Sequence, residues 1–324
     1  MLRHVTAALM ILAAPALADP LPSWSDGPAR QRIIDFVTDV TDPASEEFVP
    51  VAERIAVFDN DGTLWSEQPA YFQGIFAFDY VARMGQDDPA TLTTDTLKAA
   101  AAGDYATVLG GGEEALIEVL GAAQTGRTIE DYQAEVAEWL ATARHPYTGM
   151  GYDTMTYQPM VELLRYLRDE GFKTYIVSGG GIDFMRVFAD RAYGIPTEQV
   201  IGSYGDTAYA VGDDGMPVIT KTAPLSFLDD KDGKPINIMR IIGKRPIIAG
   251  GNSDGDFPMM QWTTAGDGPR LGILIHHTDA EREWAYDRDS HIGQLVRGLD
   301  EGPDMGWLIV DMANDWDRIW TGAR

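Results

Sequence analysis

Short runs of apolar residues alternate along this chain with segments in which apolar residues recur at helical spacing. In a protein of this length, an apolar run bounded by polar residues is typical of a buried parallel strand. The runs predict strands at Ile55–Phe58, Thr174–Val177, Pro246–Ala249, Leu271–Ile275 and Trp307–Val310. The helical spacing predicts helices at Gln31–Asp39, Met160–Arg168 and Ile236–Ile242. Strands that alternate with helices indicate the α/β class, here a Rossmann-like open, mostly parallel sheet flanked by helices.

Residues 66–155 do not follow this alternation. They contain helical patterns without a convincing strand, at Ala70–Arg83, Leu97–Ala102, Glu113–Gln124 and Ile129–Ala143. We therefore predict a helical cap inserted between the first and second core strands. The α/β core then comprises residues 19–65 and 156–324, and a hairpin near the sheet edge is predicted within residues 195–235.

The first 18 residues have the pattern of an export signal. A short basic start is followed by the apolar stretch Val5–Leu17. With about 13 residues, this stretch is too short to span a bilayer, which needs about 20. Ala16-Leu17-Ala18 is a small-x-small cleavage signal, so we predict a signal peptide of residues 1–18 and a periplasmic or secreted protein. The alternative is a buried N-terminal helix. The sequence has no cysteine, which excludes a lipid-anchored cysteine and a disulfide.

Acidic residues outnumber basic ones in this chain of 324 residues, 50 to 25, which gives a formal net charge of −25. Such a charge repels nucleic acid and anionic membranes, so neither is an expected partner. The same field repels a phosphorylated substrate. A phosphate site in this protein therefore needs local positive charge, from a metal ion, a lysine or backbone N–H groups.

Two aspartates follow the first predicted strand directly, in the segment Asp59-Asn60-Asp61-Gly62-Thr63. Ligands of an open α/β sheet bind at the carboxyl ends of its strands, which is where this loop lies. One carboxylate can attack phosphorus and the other can transfer protons to the leaving oxygen and from water. A hard cation would offset the repulsion between a carboxylate and a phosphate. The alternative is an Asp-Gly turn in which one aspartate caps a helix.

Three further segments have residues suited to a phosphate site. Ser178–Gly181 follows the second strand and presents a hydroxyl and close-approach N–H groups. Lys234 precedes a helix that starts at Pro235, and Lys231 is its rival for neutralising phosphate charge. Asn252–Asp256 follows the third strand with amide and carboxylate oxygens. Taken singly, each segment has an ordinary reading as a glycine turn, a solvated lysine or an acidic loop.

In their order along the chain, the four segments resemble the motifs of the haloacid dehalogenase superfamily, specifically its phosphoserine-phosphatase-like branch. The resemblance extends from about residue 50 to residue 310 and is strongest at the first motif. It implies that Asp59 is the nucleophile and Asp61 the general acid and base. It also implies that Ser178 and the Gly179 N–H bind phosphate oxygens, and that Lys234 steadies the aspartyl phosphate.

The same resemblance implies a Mg²⁺ site made by Asp59, the backbone carbonyl of Asp61, Asn252 and Asp256. The family's fourth motif usually reads Gly-Asp-x-x-x-Asp, whereas here Asn252 stands at the first Asp position. An amide oxygen can bind Mg²⁺, but one formal negative charge is lost. We expect weaker metal affinity than in an all-carboxylate site, or a larger role for Asp256 or Asp254.

The predicted function is a Mg²⁺-dependent phosphomonoesterase whose partner is a small phosphorylated alcohol. Trp65, Glu67, Tyr71 and Phe72 are candidates to contact the leaving group, although core packing explains Tyr71 and Phe72 equally well. An acidic, aromatic cap would favour an organic cation, which makes phosphoserine-like and phosphorylcholine-like substrates the candidates.

Three other functions compete with this one. A dehalogenase of the same superfamily would use Asp59 on carbon without needing Mg²⁺ or Asp61, and a phosphomutase would find few sugar phosphates outside the cytoplasm. An exported, non-catalytic phosphate- or metal-binding protein is the third.

His276, His277 and His291 suggest a transition-metal site, but such residues more often hold a loop.

Overall fold

The computed structural model describes residues 19–212 and 215–322, so the predicted signal peptide lies outside the described residues. The strands are β1 (Ile55–Phe58), β2 (Lys173–Gly181), β3 (Val200–Ser203), β4 (Thr207–Val211), β5 (Pro217–Lys221), β6 (Ile248–Gly251), β7 (Leu271–His276) and β8 (Leu308–Asp311). Within the described residues, six of them form one parallel sheet in the order β3-β2-β1-β6-β7-β8. The antiparallel pair β4–β5 is separate. The predicted α/β class with a parallel sheet is confirmed.

Helices flank this sheet on both faces. The α-helices of residues 19–212 and 215–322 are α1 (Pro28–Thr41), α2 (Phe72–Asp87), α3 (Asp95–Ala101), α4 (Tyr105–Gly110), α5 (Gly112–Gln124), α6 (Ile129–Thr142), α7 (Gln158–Asp169), α8 (Ile182–Met185), α9 (Ala189–Tyr193), α10 (Gly233–Ile241), α11 (Phe257–Thr264), α12 (Arg297–Glu301) and α13 (Met312–Asp315). Side chains alternate between the two faces of a strand. In β1, Ala56 and Phe58 pack into the cluster that includes α1 and α7, whereas Ile55 and Val57 pack into the cluster that includes α10 and α11. The central strand is thus buried on both faces.

The edge strand β3 is the core strand that the apolar pattern does not predict. Only Val200 and Ile201 are apolar in it, and Gly202 and Ser203 follow, so the run is too short to stand out. Its pairing with β2 gives the sheet one strand more than the five predicted. The strand predicted at Pro246–Ala249 is displaced to Ile248–Gly251, because the ladder with β1 continues to Gly250 and the ladder with β7 continues to Gly251.

Helices α2 to α6 occupy the residues predicted to form the cap, and α4 among them was not predicted. The division of the chain into core and cap stays a prediction. The hairpin β4–β5 also reaches the loop between α5 and α6: Lys221 N–H donates to the Arg127 carbonyl, and Gly126 N–H donates to the Lys221 carbonyl, both at 2.8 Å. Through the described residues, no helix is long and apolar enough to cross a membrane.

Candidate active site

The loop after β1 begins where the strand ladder ends. Asp59 N–H donates to the Gly250 carbonyl of β6 at 3.0 Å, which holds Asp59 at the carboxyl end of the sheet. The chain then turns through Gly62, whose φ is +70°. A side chain on Gly62 would meet the Asn252 amide nitrogen at 2.1 Å and a Glu67 carboxylate oxygen at 2.4 Å. Glycine is therefore required here for two reasons: other residues disfavour this positive φ, and there is no room for a side chain.

Lys234 lies at the centre of the site and is 1% exposed. Its Nζ donates to Asp59 Oδ1 at 2.6 Å, to Asp256 Oδ1 at 2.5 Å and to the Val177 carbonyl at 3.0 Å. These three acceptors use all three ammonium protons. Lys231, the rival in the sequence, is exposed.

The end of β2 brings Ser178 and Gly179 to the same place. The register with β3 shifts between Ser178 and Gly181, an irregularity that bends a strand and redirects its groups. Ser178 Oγ accepts from Gly180 N–H at 3.1 Å and lies 3.5 Å from Asp61 Oδ2. Ser178 and Gly179 line one cavity together with Asp59, Asp61, Lys234 and Asp256.

Asp61 is held by the residue that ends its loop. Trp65 Nε1 donates to Asp61 Oδ1 at 2.8 Å. Burial raises the pKa of the Asp61 carboxyl to about 6, although the hydrogen bond from Trp65 opposes this. Phe72 packs edge-on against Trp65 and is fully buried, so it belongs to the core, while Tyr71 lines the cavity.

Asp256 is engaged through both carboxylate oxygens. Oδ1 accepts from Lys234, and Oδ2 accepts from the N–H groups of Asn252 at 3.0 Å and Ser253 at 3.1 Å. The side chain therefore fixes Lys234 and its own loop in this arrangement. Its role as a metal ligand stays a prediction. Asp254 instead accepts from N–H groups at the start of α12.

Asn252 lies beside the cavity residues and is 1% exposed. Its Oδ1 accepts from Thr63 Oγ1 at 3.1 Å, and its Nδ2 donates to Glu67 Oε1 at 2.7 Å. Glu67 Oε1 also accepts from Tyr286 OH at 2.7 Å. The sequence suggested Glu67 only as a contact of the leaving group. Its bond to Asn252 was missed, because residues 185 positions apart leave no local signal.

The charges of this site strongly influence one another. Burial raises the pKa of Asp59 well above its ordinary value, and the charge of Asp256 acts in the same direction against Lys234. Burial alone would lower the pKa of Lys234, but the charges of Asp256 and Asp59 raise it above its ordinary value. The site thus contains one buried ammonium between two carboxylates. Because the carboxylates outnumber the ammonium, an additional cation near Asp59 would be attracted to their negative charge.

The paired histidines hold the loops around the site. His277 Nε2 lies 2.7 Å from the Gly62 carbonyl, and its Nδ1 lies 3.3 Å from Glu283 Oε2. His276 contacts Asp287 at 3.2 Å. Among residues 19–212 and 215–322, no group of three or more His, Cys, Asp or Glu side chains is arranged to hold a metal ion. These contacts favour the loop-holding interpretation over a transition-metal site.

Asp229 precedes α10 and is fully buried. Neither of its carboxylate oxygens accepts a hydrogen bond of normal geometry from the described residues. Burial raises the pKa of Asp229 to about 7, in spite of the nearby charge of Lys234. Between about pH 4 and pH 7 the folded protein therefore binds a proton that the unfolded chain has released, and stability falls as pH rises.

Asp229→Asn removes this titration. We expect the variant to be more stable than the wild type at pH 8 by about 1–3 kcal/mol, with a difference near zero at pH 4. Urea unfolding at both pH values measures this, and Asp232→Asn, at an exposed position of the same loop, is the control. A difference that does not change with pH would contradict the assignment.

Comparison with known proteins identifies the family of this chain. Residues 56–261 match the model of the haloacid dehalogenase-like hydrolases. The chain belongs to this family. The match covers more than half of the chain and spans the four segments that make the site. No curated protein matches the chain.

Two solved structures are similar to this chain at low sequence identity. A conserved protein of unknown function from Anaerococcus prevotii has a TM-score of 0.51 and 17% identity, covering 77% of this chain and 86% of that one. A phosphoserine phosphohydrolase-like protein from Francisella tularensis has a TM-score of 0.40 and 20% identity, covering 78% and 99%. At this identity, the likeness to the Anaerococcus prevotii structure concerns the fold alone.

The haloacid dehalogenase-like family implies a Mg²⁺ ion, and the oxygen donors of this chain fit such a hard cation. Asp59 offers a carboxylate, Asp61 a backbone carbonyl and Asn252 an amide oxygen whose orientation is fixed by Thr63 and Glu67. The donor set has one carboxylate fewer than the family pattern.

The Glu67 contact predicts how residue 252 tolerates a carboxylate. In Asn252→Asp the new carboxylate would face Glu67 in place of an amide donor, and we expect a loss of about 1–3 kcal/mol in unfolding free energy. In the double variant with Glu67→Gln, the amide at position 67 can donate a hydrogen bond to the carboxylate at position 252. We expect that protein to regain stability and to bind Mg²⁺ about tenfold more tightly than the wild type by calorimetry. An Asn252→Asp single variant as stable as the wild type would contradict the pairing.

Proposed function

We propose that this haloacid dehalogenase-like hydrolase is a phosphomonoesterase that works through an aspartyl phosphate on Asp59. The observation that carries the proposal is the setting of the Asp59 carboxylate. It lies 2.6 Å from Lys234 Nζ at the head of a cavity that Asp61 and Ser178 also line. A nucleophile, a proton-transfer group and donors for phosphate oxygens are thereby within one site.

The reaction has two displacements at phosphorus. In the first, an Asp59 oxygen attacks phosphorus, the bond from phosphorus to the alcohol oxygen breaks, and Asp61 donates its proton to that oxygen. In the second, Asp61 takes a proton from water, the water oxygen attacks phosphorus, and the acyl–phosphate bond breaks to return Asp59 and inorganic phosphate. Lys234 and the Gly179 N–H would stabilise the charge on the phosphoryl oxygens.

We propose Mg²⁺ as the cofactor, held by Asp59, Asp61 and Asn252. When bound, it supplies positive charge that offsets the repulsion between the Asp59 carboxylate and the phosphate. Because Asn252 is neutral, the site depends more on Lys234 for this compensation than an all-carboxylate site would. Lys234 Nζ lies 2.6 Å from Asp59 Oδ1, so its positive charge is beside the attacking carboxylate.

The competing functions explain less of this arrangement. A dehalogenase acts on carbon and does not need a proton from Asp61. In this protein Trp65 holds the Asp61 side chain beside Ser178. A binding protein without catalysis has no use for a second carboxyl group in the phosphate cavity. The phosphatase accounts for both groups.

Hydrolysis of p-nitrophenyl phosphate by the mature protein tests the proposal. We expect turnover with Mg²⁺ and its loss with EDTA, with recovery when Mg²⁺ is added back. Turnover of a haloacid and not of phosphate esters would favour the dehalogenase. Binding of phosphate without any turnover would favour the binding protein.

Asp61→Asn separates the two halves of the reaction. The p-nitrophenolate leaving group needs no proton, whereas the alkoxide of ethyl phosphate does. We expect kcat/KM for ethyl phosphate to fall by about 10²-fold to 10⁴-fold, and kcat/KM for p-nitrophenyl phosphate to fall far less. Equal losses with both esters would contradict the role of Asp61 as the acid.

We also propose that the protein is periplasmic or secreted after cleavage behind Ala18. N-terminal sequencing of the protein from the periplasm and the medium of an expressing bacterium tests this, with Asp19 expected as the first residue. A protein retained in the cytoplasm with Met1 intact would contradict it.

A further inference from the structure

The cavity that starts at the carboxylates continues under the cap helices. Its volume is about 400 Å³, and it extends from Asp59 and Ser178 to residues of α2 and α5 and to the segment after β5. Ligand pockets in proteins have volumes of roughly 300–1,000 Å³. The cavity therefore has room for a substantial alcohol portion beyond the phosphoryl group.

One wall of this cavity is apolar. It is made by side chains from α2, α5 and the segment after β5, among them Ala77, Phe78, Leu116, Leu120, Pro224 and Leu225. Leu116 and Leu120 are four residues apart, so they lie on the same side of α5. Both are only partly buried in the protein itself. They present apolar surface that a ligand can cover.

The charged groups of this wall neutralise each other. Lys221 is 3% exposed and forms an ion pair with Asp183. Its ammonium also lies 5.3 Å from the centre of the Tyr132 ring. A buried pair of this kind leaves no net charge for a substrate.

The amides of the wall are also engaged within the protein. Gln124 Nε2 donates to the Pro224 carbonyl at 3.0 Å. Gln73 Oε1 accepts from Gly181 N–H at 2.7 Å. Because these polar groups already have partners, the surface left for a ligand is mainly that of the apolar side chains.

We infer that the substrate is a phosphate monoester whose alcohol has an apolar alkyl or aryl body, which lies against Leu116 and Leu120. The inference rests on the proposed phosphomonoesterase and names its substrate class. Burial of an apolar chain against this wall removes apolar surface from water on both sides. A small polar alcohol would leave the wall uncovered.

The small ammonium-bearing alcohols suggested by the sequence fit this cavity less well. Glu67 Oε1 already accepts hydrogen bonds from Asn252 and Tyr286, and burial raises the pKa of Glu67 well above its ordinary value, which favours its neutral form. Asp183 is paired with Lys221. Outside the catalytic residues, the remaining carboxylate of the lining is that of Asp230, which lies near the glycines at the phosphate end. An ammonium farther along the cavity would lose its hydration without gaining a free counter-charge.

A series of n-alkyl phosphates tests the inference on the wild-type protein. Ethyl, butyl, hexyl and octyl phosphate have similar leaving groups, so kcat/KM reports the interaction of the chain. We expect a rise of about threefold to fourfold per methylene group until the cavity is filled, and hexyl phosphate at least about 30-fold above ethyl phosphate. O-phosphoserine and phosphorylcholine are expected to be no better than ethyl phosphate.

Two outcomes are clearly separated in this series. If none of the esters, including p-nitrophenyl phosphate, is hydrolysed, the proposed phosphatase fails. If they are hydrolysed but kcat/KM is flat or falls with chain length, or O-phosphoserine is preferred, the phosphatase stands and the apolar substrate class is overturned.

Leu120→Asn locates the effect in the wall. We expect its ratio of kcat/KM for hexyl over ethyl phosphate to fall about tenfold. Leu109→Asn, at a position of α4 that is 55% exposed, should keep the wild-type ratio. Because each ratio is internal to one protein, partial unfolding of a variant does not change it. An unchanged ratio in Leu120→Asn would overturn the assignment of this wall.

Discussion

Asp59→Asn is expected to lower kcat for phosphate monoesters by about 10⁴-fold or more. The amide is nearly isosteric with the carboxylate, so the cavity should keep its shape. It lacks the charge that makes Asp59 a nucleophile and the oxygen that would carry the phosphoryl group. Steady-state hydrolysis of p-nitrophenyl phosphate at saturating Mg²⁺ measures the loss, and circular dichroism checks the fold.

A matched control comes from the loop after β6. Asp254 is also an aspartate near the site, but its carboxylate accepts from N–H groups at the start of α12. We expect Asp254→Asn to retain activity within about threefold, as for a substitution outside the reaction centre. If Asp59→Asn were as active as Asp254→Asn, another residue would have to be the nucleophile.

Lys234→Met is expected to be the most destabilising single substitution at this site. Removing one partner of a buried ion pair leaves uncompensated charge, which typically costs about 3–5 kcal/mol. Here one ammonium serves two carboxylates, Asp59 and Asp256, that are both buried. We expect the free energy of unfolding at pH 7 to fall by this amount, and the activity of the remaining folded protein to fall by about 10²-fold to 10³-fold.

Lys231→Met is the control for Lys234→Met, because Lys231 lies three positions earlier and is exposed. We expect it to change stability by less than about 0.5 kcal/mol. Adding Asp256→Asn to Lys234→Met removes one of the uncompensated carboxylates and should restore part of the stability. Urea unfolding of the single and double variants measures both effects. Equal stability of the two lysine variants would contradict the buried network.

The sequence predicts most of the sheet, because a strand buried on both faces must be apolar throughout. Ile55–Phe58 has the same bounds in the structure as in the prediction. The edge strand Val200–Ser203 was missed, because its two apolar residues are followed by glycine and serine. Its place in the sheet depends on pairing with β2, and such pairing leaves no periodic pattern within the strand itself.

The candidate site could be predicted where a residue follows a strand or begins a helix. Asp59, Ser178 and Lys234 were found in this way, and the structure brings all three to one cavity. Contacts between distant segments could not be predicted. The bond from Asn252 to Glu67 and the pairing of Lys221 with Asp183 join residues 185 and 38 positions apart. Both depend on how segments that are distant in the sequence come together in the folded chain.

Identification of the phosphorylated residue tests the central claim most directly. Asp61→Asn should still react with p-nitrophenyl phosphate but should hydrolyse the intermediate slowly, because the base for the second step is missing. After an acid quench, peptide mass spectrometry is expected to find one phosphoryl group, on Asp59, and borohydride reduction should convert Asp59 to homoserine. Turnover without a phosphorylated Asp59, or a phosphoryl group on Ser178 or another residue, would contradict the account.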